Sequence, residues 1–175
     1  MSHMTISQAL RQIKKVKGQL GESLSRGQAN VSHKTSVKPA FQFSTCMDKA
    51  DVARASLVDL ETRVAITNAT TMISHRGRTM ALVRAVRQLQ ELKAQIAWLR
   101  GLTVRNQAHT ADQELEYRGA QGHVHVDIPW TCHLPEAERA AKVDTIQQEF
   151  DALNDAVETT NHVTFLVESE LQEPS

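Results

Sequence analysis

Aromatic side chains are scarce in this chain: four phenylalanines, two tryptophans and one tyrosine serve 175 residues. So few rings argue against a large core built around them and favour aliphatic seams between helices. Cysteine is scarcer still. Cys46 and Cys132 are too few and too far apart for a disulfide framework. No apolar run approaches the roughly 18 residues that span a bilayer, and no charged-then-apolar leader precedes a small-residue cleavage site. The expectation is therefore a cytoplasmic protein with no membrane partner. Enzyme signatures are missing as well. No carboxylate cluster would hold magnesium for phosphate hydrolysis, and the adjacent Cys132 and His133 are poorly placed to orient each other as nucleophile and base. A non-enzymatic protein without a cofactor is expected.

Charge is present in quantity but sorted along the chain. Lys and Arg total 20 and so do Asp and Glu. Residues 1–40 hold seven cations against Glu22 alone, and residues 74–105 hold seven against Glu91 alone. Residues 106–175 hold fourteen carboxylates against Arg118, Arg139 and Lys142. Segments of opposite sign can pair within one copy or between copies, so the chain itself is the first partner expected. Nucleic acid is a weaker candidate, because the acidic third would repel a phosphate backbone.

Hydrophobic spacing supplies the elements. Ser2-His3-Met4 reads as a cloning scar, so residues 1–4 are set aside, 5–167 form one helical domain and 168–175 a tail. A helix runs from Thr5 to about Ser25, with Ile6, Leu10, Ile13, Leu20 and Leu24 near one face. Gly27, Asn30, Ser32, Ser36 and Pro39 then mark an irregular connection, in which Val37 to Phe43 is read as extended. A second helix covers about Thr45 to Thr67 with a seam of Ala50, Ala53, Leu57, Leu60 and Val64. Asn68-Ala69-Thr70-Thr71 interrupts it. The third runs from Thr79 to about Arg105 on Leu82, Ala85, Leu89, Leu92, Ile96 and Leu99, capped by Ser74 or Thr79. Residues 106–118 read as a polar connection. Val124, Val126 and Ile128 then alternate with polar residues, as in a strand. Pro135 opens a fourth helix to about Asn161, carrying Val143, Ile146, Phe150, Leu153 and Val157. Val163 to Val167 is read as a last strand pairing with the first. The fold class expected is mainly α: helices two and three as an antiparallel hairpin within a bundle, with a small β element near the C-terminal third, assembling as a homo-oligomer.

The sharpest local feature is Ser74-His75-Arg76-Gly77-Arg78-Thr79. Two guanidiniums, an imidazole and two hydroxyls stand just before a helix, whose free N–H groups and dipole favour an anion. Asn68 and Thr71 would share that loop end. The competing reading is a solvated turn whose arginines pair with nearby carboxylates, with Asn68 and Thr71 as caps. A second basic group, His33, Lys34 and Lys38, lies beside Phe41 and Phe43, where lysines could take phosphates and a ring a base; the favoured alternative is a flexible basic loop whose two phenylalanines fold onto the bundle. If both loops met across a subunit boundary they would enclose a compact phosphorylated ligand. His123, His125, Cys132 and His133, with His109, form a set whose spacing matches no standard zinc site, and the residues alone do not decide whether it binds metal. Trp130 reads as a packing plug or an interface anchor.

The run Ile66-Thr67-Asn68-Ala69-Thr70-Thr71, then Gly77-Arg78-Thr79 and Ala94-Gln95-Ile96-Ala97-Trp98-Leu99-Arg100-Gly101-Leu102, resembles a family of small bacterial and phage-borne proteins. Some of them are labelled septicolysin. Val124-His125-Val126-Asp127-Ile128 and Asn161-His162-Val163-Thr164-Phe165-Leu166 extend the likeness over most of the chain after residue 40. The resemblance implies a helical-hairpin protein that assembles and supplies no catalytic residue. The septicolysin label suggests a pore-forming toxin, yet the sequence holds no amphipathic β-hairpin of membrane length. If the gene is phage-borne, as the resemblance permits, sequestering a signalling nucleotide is a coherent use for such a pocket. Together these readings give an oligomeric protein binding a small anionic, nucleotide-like ligand through His75, Arg76, Arg78, Thr79, Asn68, Thr71, Lys34, Lys38 and Phe41. The alternative is a scaffold whose charged regions drive assembly.

Overall fold

The computed structural model describes residues 4–103, 112–117, 122–128 and 131–168, with 112–117 and 123–128 described as backbone. Among them are helices α1 (Ile6–Ala29), α2 (Phe43–Thr70), α3 (Leu82–Gly101) and α4 (Glu136–Val163). Two antiparallel strand pairs accompany them: β1 (Met72–His75) with β2 (Arg78–Ala81), and β3 (Asp112–Tyr117) with β4 (His123–Ile128). The mainly α fold with a small β element is what the chain adopts. Its contacts divide it into two compact units, residues 1–87 with 153–175 and residues 88–152.

In the first unit α1 opens on a capping box. Thr5 Oγ1 accepts from the Gln8 N–H at 3.3 Å, and Gln8 Oε1 accepts from the Thr5 N–H at 2.9 Å. Buried Ile6, Ala9, Ile13, Val16 and Gly27 then fall on one alternation of threes and fours. Cys46, Ala50, Leu60, Val64 and Thr67 of α2 do the same, the spacing of a two-helix seam. The helices run antiparallel. Lys17 Nζ meets Glu61 Oε1 at 2.7 Å, while a Cβ on Gly27 would stand 3.5 Å from that of Cys46 at the turn end. Small residues are needed there because the two backbones approach closely. The antiparallel hairpin is thus α1 with α2, not the second helix with the third. Its seam passes through Ala9 and Gly27, leaving Leu10 and Leu24 exposed at 46% and 37%.

At the other end of this pair the chain termini meet. The Ile6 N–H donates to Thr164 O at 3.0 Å, the Leu166 N–H donates to Met4 O at 2.9 Å, and Thr5 bridges Phe165. Residues 164–166 therefore pair with the start of α1 and not with the strand at 123–128. Thr67, the one buried polar residue among those described, locks the join. Its hydroxyl donates to Arg63 O at 2.7 Å and accepts from the Val167 N–H at 3.1 Å. Arg63 Nε donates to Val167 O at 2.9 Å.

In the second unit Ile96, Leu99 and Val143 form a buried cluster flanked by Leu102, Leu134, Ile146 and Phe150. Arg139 of α4 closes the end of α3: its Nη1 donates to Leu99 O and Arg100 O at 3.0 Å each. The expected polar connection at 106–118 contains β3, paired from Asp112↔Ile128 to Tyr117↔His123. Its Asp-Gln-Glu-Leu-Glu-Tyr carries one aliphatic residue, too weak an alternation to read as a strand in isolation. No helix among the described residues is long and apolar enough to cross a membrane.

Candidate functional site

The end of α2 differs from its sequence reading. Asn68, Ala69 and Thr70 continue the helix, because Thr67 and Thr70 turn their hydroxyls back onto the carbonyls of Arg63 and Ile66 instead of competing with the ladder. Thr71 is then extended, with φ −78° and ψ 131°, and leads into β1. Strand pairing runs Met72↔Ala81, Ile73↔Met80, Ser74↔Thr79 and His75↔Arg78. The two residues left over, Arg76 at φ 48° and Gly77 at φ 74°, make a tight turn with both central residues left-handed. That is the type I′ geometry that suits the twist of a hairpin. The base closes where the Leu82 N–H donates to Thr71 O at 2.8 Å.

Residues 74–79 are therefore a β-hairpin, not the approach to a helix N-terminus. Neither Ser74 nor Thr79 caps α3, which begins at Leu82 with its first N–H already spent. The dipole contribution expected at the arginines is absent from the turn. What remains is a local concentration of cations. Alternation places Ile73, His75, Arg78 and Met80 on one face and Met72, Ser74, Thr79 and Ala81 on the other. Ile73 is buried and His75 half-buried, so this face points inward; Arg78 lies directly opposite His75 at its open end, and Arg76 stands at the apex. Thr79 falls on the opposite face. Between Glu61 and Glu91 there is no carboxylate, against Arg63, Arg76, Arg78, Arg84 and Arg87. Arg76 and Arg78 are exposed, and among the described residues no ion pair involves either. Among the described residues, two buried polar atoms have no hydrogen-bond partner, His75 Nε2 and Asn68 Oδ1. Both belong to residues singled out from the sequence.

Lys34, Lys38 and Phe41 lie elsewhere. They occupy the exposed connection 30–42 before α2, whereas Asn68 and Thr71 close its other end. At roughly 1.5 Å per residue, the 28-residue helix separates the two groups by about 42 Å within one chain. The segment 37–43 is not one extended run. Val37 N–H donates to Lys34 O at 2.8 Å, and α2 has begun by Phe43. The Arg26 guanidinium lies 4.6 Å from the centre of the Phe41 ring, so one aromatic face is already covered. Of the metal candidates, the side chains of His109, His123 and His125 lie outside the described residues, as does Trp130. Cys132 is half-buried and His133 exposed. No group of three metal-ligating side chains occurs among the described residues.

No family model matches the chain, and no curated protein matches it. A solved structure, that of a functionally unknown conserved protein from Corynebacterium diphtheriae, superposes on 95% of this chain and 100% of that one. The TM-score is 0.75 and the identity 18%. The likeness shows the fold alone. It carries neither septicolysin nor phage origin with it.

Proposed function

We propose that this chain is a non-enzymatic binding protein that takes a small phosphorylated, nucleotide-like ligand at the β1–β2 turn. Arg76 and Arg78 supply forked donors, and His75 stands beside them. One observation carries the reading: Arg76 sits at φ 48° in a turn where Asn, Asp or Gly would cost less. A bulky cation kept in a left-handed position, with no ion pair among the described residues and beside a second such arginine, has a use for its side chain outside the fold. Thr79 and Thr71 flank the turn without sharing its inward face.

The test is a melting-temperature screen with inorganic pyrophosphate and a nucleotide panel. A ligand that binds only the folded state raises the melting point. The Arg76→Ala/Arg78→Ala double variant is expected to lose that rise. An unchanged melting point across the panel, in both proteins, favours the second reading, a scaffold assembled by charge. One feature supports that alternative: Asp144, Asp151, Asp155 and Glu158 follow one exposed stripe of α4 with no cation paired to them.

A further inference from the structure

We infer that two copies pair their α1–α2 hairpins antiparallel about a two-fold axis. The connection 30–42 of each then lies over the β1–β2 turn of the other, with a phosphate-bearing ligand between them. This rests on the proposed role of Arg76 and Arg78 and adds Lys34 and Lys38 of the partner as the opposing donors.

Three observations carry it. The first is a groove of about 550 Å³ along one side of the α1–α2 pair. Its floor is Val16, Ser23 and Ala53, small side chains that leave room at a seam position. At its rim stands Val52, 72% exposed, the most exposed large apolar side chain among those described. A two-fold contact must be self-complementary, because the same patch faces itself. This groove offers both a hollow and a knob to fill it. Its rim also carries both signs, Glu22 and Asp48 beside Arg26 and Lys49, so no net charge opposes the pairing.

The second observation is distance. The groove centres near Gln19 and Ala53. From Ala53 the ends of α2 at Phe43 and Thr70 lie about 15 Å and about 25 Å away, at roughly 1.5 Å per residue. The connection 30–42 extends the shorter side by on the order of 10 Å. Rotating one copy by half a turn about the groove centre therefore carries Lys34 and Lys38 to the level where the partner's α2 ends and its hairpin begins. The third is charge. Residues 23–47 contain no carboxylate and include Arg26, Lys34 and Lys38, and the hairpin they would meet is cationic too. Two cationic loops held together repel each other unless an anion lies between them, so assembly and ligand binding are coupled. This coupling is why a second copy, and not an unrelated acidic partner, fits the groove: the same rotation that fills the hollow with Val52 brings both basic loops to one place.

Sedimentation of the full chain with and without inorganic pyrophosphate tests the inference. The expected result is a monomer–dimer equilibrium whose dissociation constant falls at least tenfold with pyrophosphate. Val52→Glu, at an exposed position where folding is unaffected, remains monomeric and binds pyrophosphate at least tenfold more weakly than the parent. Mixing decides the geometry. An Arg76→Ala/Arg78→Ala chain and a Lys34→Ala/Lys38→Ala chain each fail to bind alone, but their mixed dimer holds one intact site of two. On equimolar mixing about half the dimers are mixed, so recovery of about a quarter of the parental binding stoichiometry, rising toward half as ligand draws chains into the mixed dimer, supports a shared site. A Val52→Glu monomer that binds pyrophosphate as tightly as the parent overturns the shared site while leaving the hairpin reading intact. Absence of pyrophosphate binding in the parent itself overturns both.

Discussion

Replacing Arg76 by Asn separates the fold's demand at the turn from the ligand's. The turn requires a positive φ at two successive residues, 48° at Arg76 and 74° at Gly77. An L side chain in the left-handed region costs about 1–2 kcal/mol, and Asn escapes much of that because its short amide bonds locally. Arg76→Asn turns the pair into Asn-Gly, the sequence most suited to this turn type. Among the described residues the side chain has no ion pair to lose. Stability should therefore rise by about 0.5–1 kcal/mol, which for a chain of this size is an upward shift of about 1–4 °C in melting temperature. Ligand binding should move the other way. One charge-assisted donor is worth about 1.5–3 kcal/mol, so the dissociation constant for pyrophosphate is expected to weaken by about 10- to 150-fold. Thermal unfolding and isothermal titration on the same preparations measure both. Arg76→Ala is the control: it loses the donor but keeps a Cβ without the local amide, so it weakens binding without the gain in stability. If Arg76→Asn binds as tightly as the parent, the guanidinium is not a ligand contact. If it instead lowers the melting temperature by several degrees, Arg76 is held in place by the fold, and the inference from its backbone fails.

Other perturbations probe the frame that presents this turn. Ile13→Ala, on the buried seam, should cost about 2–4 kcal/mol, whereas Leu10→Ala, 46% exposed, should cost less than about 1 kcal/mol by denaturant titration; equal losses would refute the seam placed here. Gly27→Ala should stabilise by up to about 1 kcal/mol, since its new Cβ meets that of Cys46 at an ordinary 3.5 Å, while Gly27→Leu should lower the melting point by prying the helices apart. Arg139→Ala should unfasten the end of α3, seen as faster hydrogen exchange at the Leu102 N–H, which donates to Leu99 O at 3.3 Å. That effect depends on pH. Arg139 forks onto both Glu136 oxygens and holds the Glu136 carboxyl below its usual range, first through the hydrogen bond and then through charge. A carboxyl with a lowered folded pKa contributes stability above its ordinary value, about pH 4.3, and loses it as the pH falls through the folded value. The difference between parent and variant should accordingly be full at pH 7 and shrink below about pH 4.

The helices were legible where packing uses large aliphatic residues and obscure where it uses small ones. Along α3, Leu82, Ala85, Leu92, Ile96 and Leu99 are buried as their spacing implies, and Val143, Leu153 and Val157 fix α4 in the same way. On α1 the largest aliphatics misled. Leu10 and Leu24 look like seam residues, but the side that faces α2 is marked by Ala9, Val16, Ser23 and Gly27. Closeness of the two backbones selects small side chains there, and hydrophobicity does not report closeness. The pairing of α1 with α2, against the expected pairing of α2 with α3, follows from the same oversight.

The candidate site was half legible for a related reason. His75, Arg76 and Arg78 stood out by charge, but their setting was misread because a four-residue strand leaves little periodicity and Arg-Gly is a poor hairpin word. A seam that starts at Leu82 draws the helix start expected from sequence back to Thr79, where a helix dipole would favour an anion. The hairpin removes that support, and under the proposed two-copy site a more discriminating device takes its place. A helix N-terminus binds any small anion weakly through fixed N–H groups. In that proposal an apex arginine opposite a second copy's lysines would select by span, because only an anion long enough to bridge the two loops would offset their repulsion. Orthophosphate and pyrophosphate differ in that span far more than in charge density. A pyrophosphate preference that vanishes in the Lys34→Ala/Lys38→Ala chain is therefore the signature of a bridged site, and equal response to both ions is the signature of a simple cationic turn.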